Sequence, residues 1–473
     1  MPRLIRAAAA LAAAALLAAP AAAAPPEWNA RARAMLAEAV GFRTAPGHNR
    51  VLPLAERLAA QFRAAGFAAE DVRVVPHKDT AALVVRYRGD GSSGRKPILA
   101  IAHMDVVDAL ATDWARDPFV LREEDGYLYG RGAWDNKAGL VAIAQAFLRL
   151  KAEDFRPKRD LILMFSGDEE TTGETTDLLA REHRALIDAE YALNADAGGG
   201  AYDEGGRLKP FELQVSEKVY ATWTLTVRNR GGHSSGPRPD NAIYQLAAAL
   251  TKLSQARFAP RINEATRAYF LAESRNVGLD SEIGQVMARF AQNPADGEAA
   301  DRIEAYESYI GTTRTTCVAT MLSAGHAENA LPQTAVATVN CRIFPGESLE
   351  EVRAVIERAV ADPEVEIRPV GEVVVGPPSP LRRDVMDAYV RALRRNYPDV
   401  QVLPTMAIGA TDGNILRAHG IPTYGVDGMW VVTPVDDRAH GRDERIPIRG
   451  FEQNLDHWYW LLKDLGSPGG GRR

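Results

Sequence analysis

Three short apolar runs constrain this chain more than any other feature. Residues 97–102 (PILAIA) lead into His103-Met104-Asp105. Residues 160–165 (DLILMF) lead into Ser166-Gly167-Asp168-Glu169-Glu170, and residues 190–193 lead into Asn194-Ala195-Asp196. Near-continuous apolar runs of this length fit strands covered on both faces. A long helical stretch, 137–150, lies between the first two. Strand–helix–strand alternation predicts an α/β fold with a mostly parallel sheet, and such sheets bind ligands beyond the carboxyl ends of their strands. All three runs deliver histidine or acidic residues to that end.

Further segments fall in place around these runs. Residues 27–43 and 51–66 have helical apolar spacing, with Gly66 where a helix would stop. Near residue 214 the pattern changes. Residues 220–228 alternate like a half-buried strand, 241–255 are helical, and 256–311 are polar and partly helical. Strands at 315–323 and 335–344, a helix at 348–361 and a strand at 365–370 complete a βαββαβ order. This is a ferredoxin-like α+β unit with an insertion after its first helix. Pro377, Pro378 and Pro380 mark a return linker. The expectation is a catalytic domain split into 25–213 and 371–467, interrupted by an inserted domain at 214–370, with a disordered glycine-rich tail at 468–473.

Residues 1–24 read as a signal peptide: Arg3 and Arg6, an apolar stretch at 7–19, Pro20, and a small-residue cleavage site near Ala23. The stretch is shorter than the ~20 residues of a membrane span, so no stable membrane insertion is expected. The mature protein is expected to be exported, and periplasmic in a diderm bacterium. Without Arg3 and Arg6, 54 basic residues (56 − 2) face 62 acidic ones, a net charge of −8. That balance offers no footprint for nucleic acid or an anionic membrane.

His103, Asp135, Glu170, Asp196 and His440 are metal-ligand types. Two imidazoles and three carboxylates exceed what one catalytic zinc uses, but suit two divalent ions if one carboxylate bridges. Zinc, cobalt and manganese all tolerate such a set. Asp105, two residues after His103, is placed to hydrogen-bond the second ring nitrogen and fix its tautomer. Glu169 and Glu170 project differently from one loop, so one can bind metal while its neighbour accepts a proton. Blander readings stay open: Asp135 capping the following helix, and His440 as an ordinary loop histidine. His48, His77, His183, His419 and His457 read as solvated or structural.

Gly232-His233-Ser234-Ser235-Gly236 matches the serine-hydrolase G-x-S-x-G pattern, but Pro237 and Pro239 delay the helix that such an elbow needs. Cys317 and Cys341 lie on two strands of one hairpin, symmetric about Asn329. They are expected to face each other, with Ala319, Met321, Val339 and Ile343 on the helix-packed face and Thr338, Asn340 and Arg342 on the open one. Two reduced buried thiols are the blander reading, a cross-strand disulfide the sharper one.

Together these pieces resemble the M20 family of metallopeptidases and amidohydrolases. The resemblance rests on HMDVV (103–107), DPF…DG…YGRGAWDNK (117–137), SGDEE (166–170), NAD (194–196), GGHSS (231–235), NALP (329–332), NCR (340–342) and HGRDER (440–445). Exported carboxypeptidase-like and N-acyl-amino-acid-hydrolase-like members are the most similar in character. The resemblance implies that His103 and Asp196 hold one metal and Glu170 and His440 the other, with Asp135 between them. It implies Asp105 as a catalytic carboxylate, Glu169 as general base, and His233 as a residue of the inserted lid that polarises the scissile carbonyl. Asn329 and Arg342 would bind substrate, Arg342 through a free carboxylate. It further implies a homodimer built through the inserted domain, acting on small peptides or N-acyl amino acids. Two departures stand out: Asp108 where relatives often have proline, and Asp196 where many have Glu-Gly-Gly. Other classes to weigh are a non-catalytic binding protein on the same fold and the serine hydrolase.

Overall fold

The computed structural model describes residues 25–467. The expected signal peptide at 1–24 and the tail at 468–473 lie outside the described residues. The apolar runs form the middle of an eight-stranded sheet. Its order is Val72–His77, Thr80–Tyr87, Leu161–Ser166, Ile98–His103, Tyr191–Tyr202, Thr423–Val432, Phe211–Glu217 and Val402–Ala407. The four strands from Leu161–Ser166 to Thr423–Val432 are parallel to one another. An antiparallel hairpin extends the sheet on one side. On the other, Phe211–Glu217 runs opposite to Thr423–Val432 and parallel to the edge strand Val402–Ala407. The mostly parallel α/β expectation holds.

Burial explains the continuous apolar reading of the central strands. Every residue of Ile98–His103 and of Leu161–Ser166 is buried. One face packs on Pro26–Gly41, Val51–Ala64, Lys137–Ala152, Arg383–Leu393 and Ile448–Gly466. The opposite face carries a smaller core that includes Leu179 and Leu416. Lys137–Ala152 is buried nearly all round, and each large side chain it contributes, such as Leu140 or Phe147, stabilises by about 1.5–3 kcal/mol.

A second, four-stranded antiparallel sheet has the order Thr316–Ala324, Thr334–Ile343, Val219–Arg228, Glu366–Val370. Helices Ala242–Gln255 and Leu349–Val360 cover one face and give it a separate core. Asn241 and Ser348 cap these helices, each accepting a backbone N–H. The intervening helices Glu264–Asn276, Glu282–Gln292 and Gly297–Glu304 form a small core of their own, while Ala265 joins the main core.

Cys317 sits directly opposite Cys341, and the two form a disulfide with Cα atoms 4.0 Å apart. The reduced-thiol reading is therefore overturned. The face assignment for Met321 also needs correction. Register shifts between Ala319 and Met321, so Met321 pairs with Thr338 rather than joining the cysteine face. The extra residue is a β-bulge, which flips every later side chain on that strand. Arg342 keeps its predicted place on the open face, with its guanidinium 4.8 Å from the Tyr220 ring centroid.

Candidate metal centre

Each proposed ligand reaches the cluster by a different local device. His103 ends a fully buried strand. The loop after Leu161–Ser166 is folded by Asp168, whose carboxylate accepts from the Thr172 hydroxyl and the Thr175 backbone N–H. Gly167 lets that loop pass close to the neighbouring hairpin, since a Cβ there would lie 2.3 Å from the Ala81 carbonyl oxygen. Asp196 is not at a strand end as expected: the strand continues to Tyr202. Gly198 and Gly199, both at positive φ, bend it where its pairing with Thr423–Val432 slips register.

The side chains converge. His103 Nε2 lies 2.9 Å from Asp135 Oδ1 and 3.6 Å from Asp196 Oδ1. His440 Nε2 lies 3.1 Å from the other oxygen of Asp135 and 3.0 Å from Glu170 Oε2. Asp135 thus stands between the two imidazoles. It does not cap the helix after it; Asn136 occupies the cap position. Ligand atoms of His103, Asp135 and Glu170 lie within 4.8 Å of one another, as do those of His103, Glu169 and Asp196. Donor types and spacing fit divalent ions.

Electrostatics agree with that fit. Hydrogen bonds to Asp135 and Glu170 push His440 up to about 10. Burial opposes charge on His103, yet Asp196, Asp105 and Asp135 raise it well above its ordinary value. Burial raises Asp196 to about 7, and burial with the Asp196 charge raises Glu169. Asp135 moves the other way: burial is outweighed by both histidines, which hold it well below the carboxylate range. Four carboxylates around two imidazoles raise one another's proton affinity, and bound cations would displace the protons that balance the cluster.

Asp105 departs from its expected role. The nearer acceptor for His103 Nδ1 is the Asp105 backbone oxygen, at 3.0 Å, with the carboxylate at 3.6 Å. The carboxylate instead accepts from the backbone N–H groups of Glu169 and Glu170, at 3.2 and 3.0 Å. It therefore sets the acidic pair as well as the histidine.

Glu444, within a quoted motif but without an assigned role, is a residue that sequence reasoning missed. Fully buried, it accepts backbone N–H groups from Gly132, Trp134 and Asp135. Arg131 pairs with it at 2.7 Å and also donates to the carbonyls of His440 and Gly441. One buried ion pair thus ties the Asp135 loop to the His440 loop. Asn194 was likewise missed: its side-chain oxygen accepts from Asp196 N–H at 2.9 Å. The cis peptide between Asp135 and Asn136 has no signal in the sequence.

His233, Asn329 and Arg342 belong to the second unit. His233 pairs with Ala330 in a two-residue strand, and Ser234 N–H donates to the Asn329 carbonyl, so these two residues are brought together. Neither they nor Arg342 line the cavity at the cluster. Ser234 sits on an exposed turn with the next helix starting only at Ala242, which is not a nucleophile elbow. Asp108 is held by Arg43, at 2.8 and 2.7 Å. Of the remaining histidines, His77 pairs with Glu174, His419 with Asp177, and buried His457 with the Val426 carbonyl.

The main sheet carries a His/Asp/Glu cluster toward the carboxyl side of its parallel strands, a place and a donor set suited to metal-dependent hydrolysis. The model of Peptidase family M20/M25/M40 matches residues 99–464, and the chain belongs to that family of metallopeptidases. It is 29% identical over 400 residues to a probable carboxypeptidase S-like 2 of Dictyostelium discoideum, covering 81% of this chain and 74% of that protein. It is 28% identical over 382 residues to the human N-fatty-acyl-amino acid synthase/hydrolase PM20D1, covering 79% and 74%. Among solved structures, the M20 metallo-carboxypeptidase Sso-CP2 of Sulfolobus solfataricus superposes with a TM-score of 0.69 at 19% identity. That match covers 91% of this chain and 98% of the other.

Proposed function

We propose that this chain hydrolyses an amide bond next to a free carboxylate, in small peptides or N-acyl amino acids, with two divalent ions, zinc first among them. The observation that carries the reading is Asp135, one oxygen against His103 and the other against His440. In this assignment His103 and Asp196 hold one ion, Glu170 and His440 the other, and Asp135 both. When bound, the ions polarise the substrate carbonyl and acidify the attacking water. Glu169, half-buried beside the cluster and raised in pKa, takes the proton and returns it to the leaving amine. Asp105 positions Glu169 through its backbone N–H. Arg342, which pairs with no carboxylate among the described residues, receives the substrate carboxylate.

The unit from Val219 to Val370 acts as lid and dimerisation domain, and the catalytic domain is formed by 25–217 and 371–467. The expected boundary at 214 moves to 218, because Phe211–Glu217 belongs to the main sheet. His233 and Asn329 complete the site across the dimer, His233 polarising the carbonyl and Asn329 binding substrate. The edge strand Thr316–Ala324 supports this, because it leaves Val318, Met321 and Leu322 exposed on an open sheet edge. No helix among the described residues is long and apolar enough to cross a membrane, and export through the leader is part of this proposal. A second reading, an N-acyl-amino-acid deacylase, draws on the likeness to PM20D1.

The test is a panel of dipeptides and N-acyl amino acids, assayed with and without a chelator and with metal content measured. Chelator-sensitive release of the carboxy-terminal amino acid is the expected result. Metal-independent turnover, or tight substrate binding without turnover, would overturn it.

A further inference from the structure

The cavity at the cluster contains a carboxylate that neither the metal assignment nor the proton transfer uses. It measures about 270 Å³, below the ~300–1,000 Å³ of sites for drug-sized ligands. Its apolar side chains are alanines only, Ala197, Ala407 and Ala410, and no lysine or arginine lines it. Glu212 stands in its wall, at the start of Phe211–Glu217, on the same strand face as Gln214. That strand runs against Tyr191–Tyr202 and Thr423–Val432, so its beginning lies beside Gly199, just past Asp196. No lysine or arginine pairs with Glu212 among the described residues. Its neighbours are the Thr405 hydroxyl and Glu273, the latter on helix Glu264–Asn276, which packs along the edge strand Val402–Ala407.

This arrangement disfavours two kinds of occupant. A carboxylate on the acyl half would meet the like charge of Glu212, and a long alkyl chain would find no large apolar side chain to lie against. An ammonium group meets the opposite situation: a carboxylate in the wall that pairs with no lysine or arginine among the described residues. Resting on the proposed amide hydrolysis, we infer that the cavity receives the acyl half of the substrate and that Glu212 binds an ammonium carried on it. The substrates would then be peptides with a free amino group, on the α-carbon or on a basic side chain, in preference to N-fatty-acyl amino acids. Glu212 itself is exposed to solvent, so an ammonium entering the cavity can reach it.

The metal-loaded enzyme should be assayed on Ala-Leu, Nα-acetyl-Lys-Leu, N-acetyl-Ala-Leu and N-lauroyl-Leu, which share one leaving group. Wild type should favour at least one ammonium-bearing substrate over both uncharged ones by roughly tenfold or more in kcat/KM. Whichever of the first two is favoured identifies the α- or side-chain ammonium. Glu212→Gln should collapse that ratio to within roughly threefold, and Glu212→Asp should retain part of it. A wild-type preference for N-lauroyl-Leu or N-acetyl-Ala-Leu overturns the inference, and needs no variant to be stable. A ratio unchanged in Glu212→Gln overturns it as well. Hydrolysis of none of the four is a different result: it rejects the proposed hydrolase activity, and the inference with it.

Discussion

The two ends of the parallel strands hold charge in opposite ways. At the amino ends, Arg95, Arg159 and Arg382 surround Glu190 and Asp384. Glu190 accepts from Arg95 at 2.7 Å, from Arg159 at 2.7 Å and from Arg382 at 2.6 Å, while Asp384 takes hydrogen bonds from Arg95 and Arg382. Burial would raise Glu190, but the arginines hold it at about 2. At the carboxyl ends, four carboxylates surround two imidazoles, and burial leaves Asp196 near 7. One cluster has spent its charge on itself. The other holds its carboxylates with protons on imidazole and acid groups, protons that a bound cation can displace. The first is built for stability and the second for binding, although both sit on the same strands.

The sharpest way to break this contrast is Glu169→Gln. The variant should keep its metal content and lose roughly 10²–10⁴-fold in kcat, the usual worth of a general base. Retention of more than a tenth of the wild-type rate would remove Glu169 from that role. Mixing this variant with His233→Ala under subunit exchange should restore roughly a quarter of wild-type activity. Half the dimers are then mixed, each with one intact site. No recovery would place His233 within its own subunit's site or outside it altogether.

Next in size is Glu444→Gln, which leaves every proposed ligand in place but weakens the anchor of the Asp135 loop. Metal affinity should fall about 10–100-fold, as for other partners that orient ligands; competitive titration against a chelator reads it directly. Unchanged affinity would mean that the loop holds its shape without the ion pair to Arg131.

Arg342→Ala tests a region outside both clusters. It should lower kcat/KM about tenfold for an acid substrate and much less for the matching amide, because only the acid loses a charge-assisted contact. Equal losses would assign Arg342 to folding rather than recognition.

The smallest effect belongs to the arginine-paired end. Glu190→Gln should lower the thermal midpoint by about 2–5 °C at pH 7 without changing kcat. The folded pKa of Glu190 is depressed, so its contribution is present above pH ~4.5, the ordinary glutamate value, and disappears as pH falls through about 2. Thermal scans of wild type and variant should therefore converge in acid. A gap that persists at pH 2 would mean the loss is packing rather than charge.

The sequence by itself determined what is local. A run such as ILAIA can be covered on both faces in few ways, so the central strands and the histidine or carboxylates after them were legible, as were the helices opened by Asn241 and Ser348. Pairing across a hairpin was legible too, which is why Cys317 and Cys341 meet; the bulge beyond Ala319 was not, because no residue there demands it. Only the tertiary structure decided the rest. The C-terminal strands Val402–Ala407 and Thr423–Val432 join the sheet beside partners roughly 200 residues earlier, a separation at which side-chain periodicity carries no pairing information. For the same reason Glu444 read as one charge among several, until folding buried it against three N–H groups of a loop more than 300 residues away. Asp105 and Glu212 follow the same rule. Their residue types were plain in the chain, but their tasks depend on which backbone N–H groups, cavity walls and charges a distant segment brings to them, and those are set by packing, not by sequence spacing.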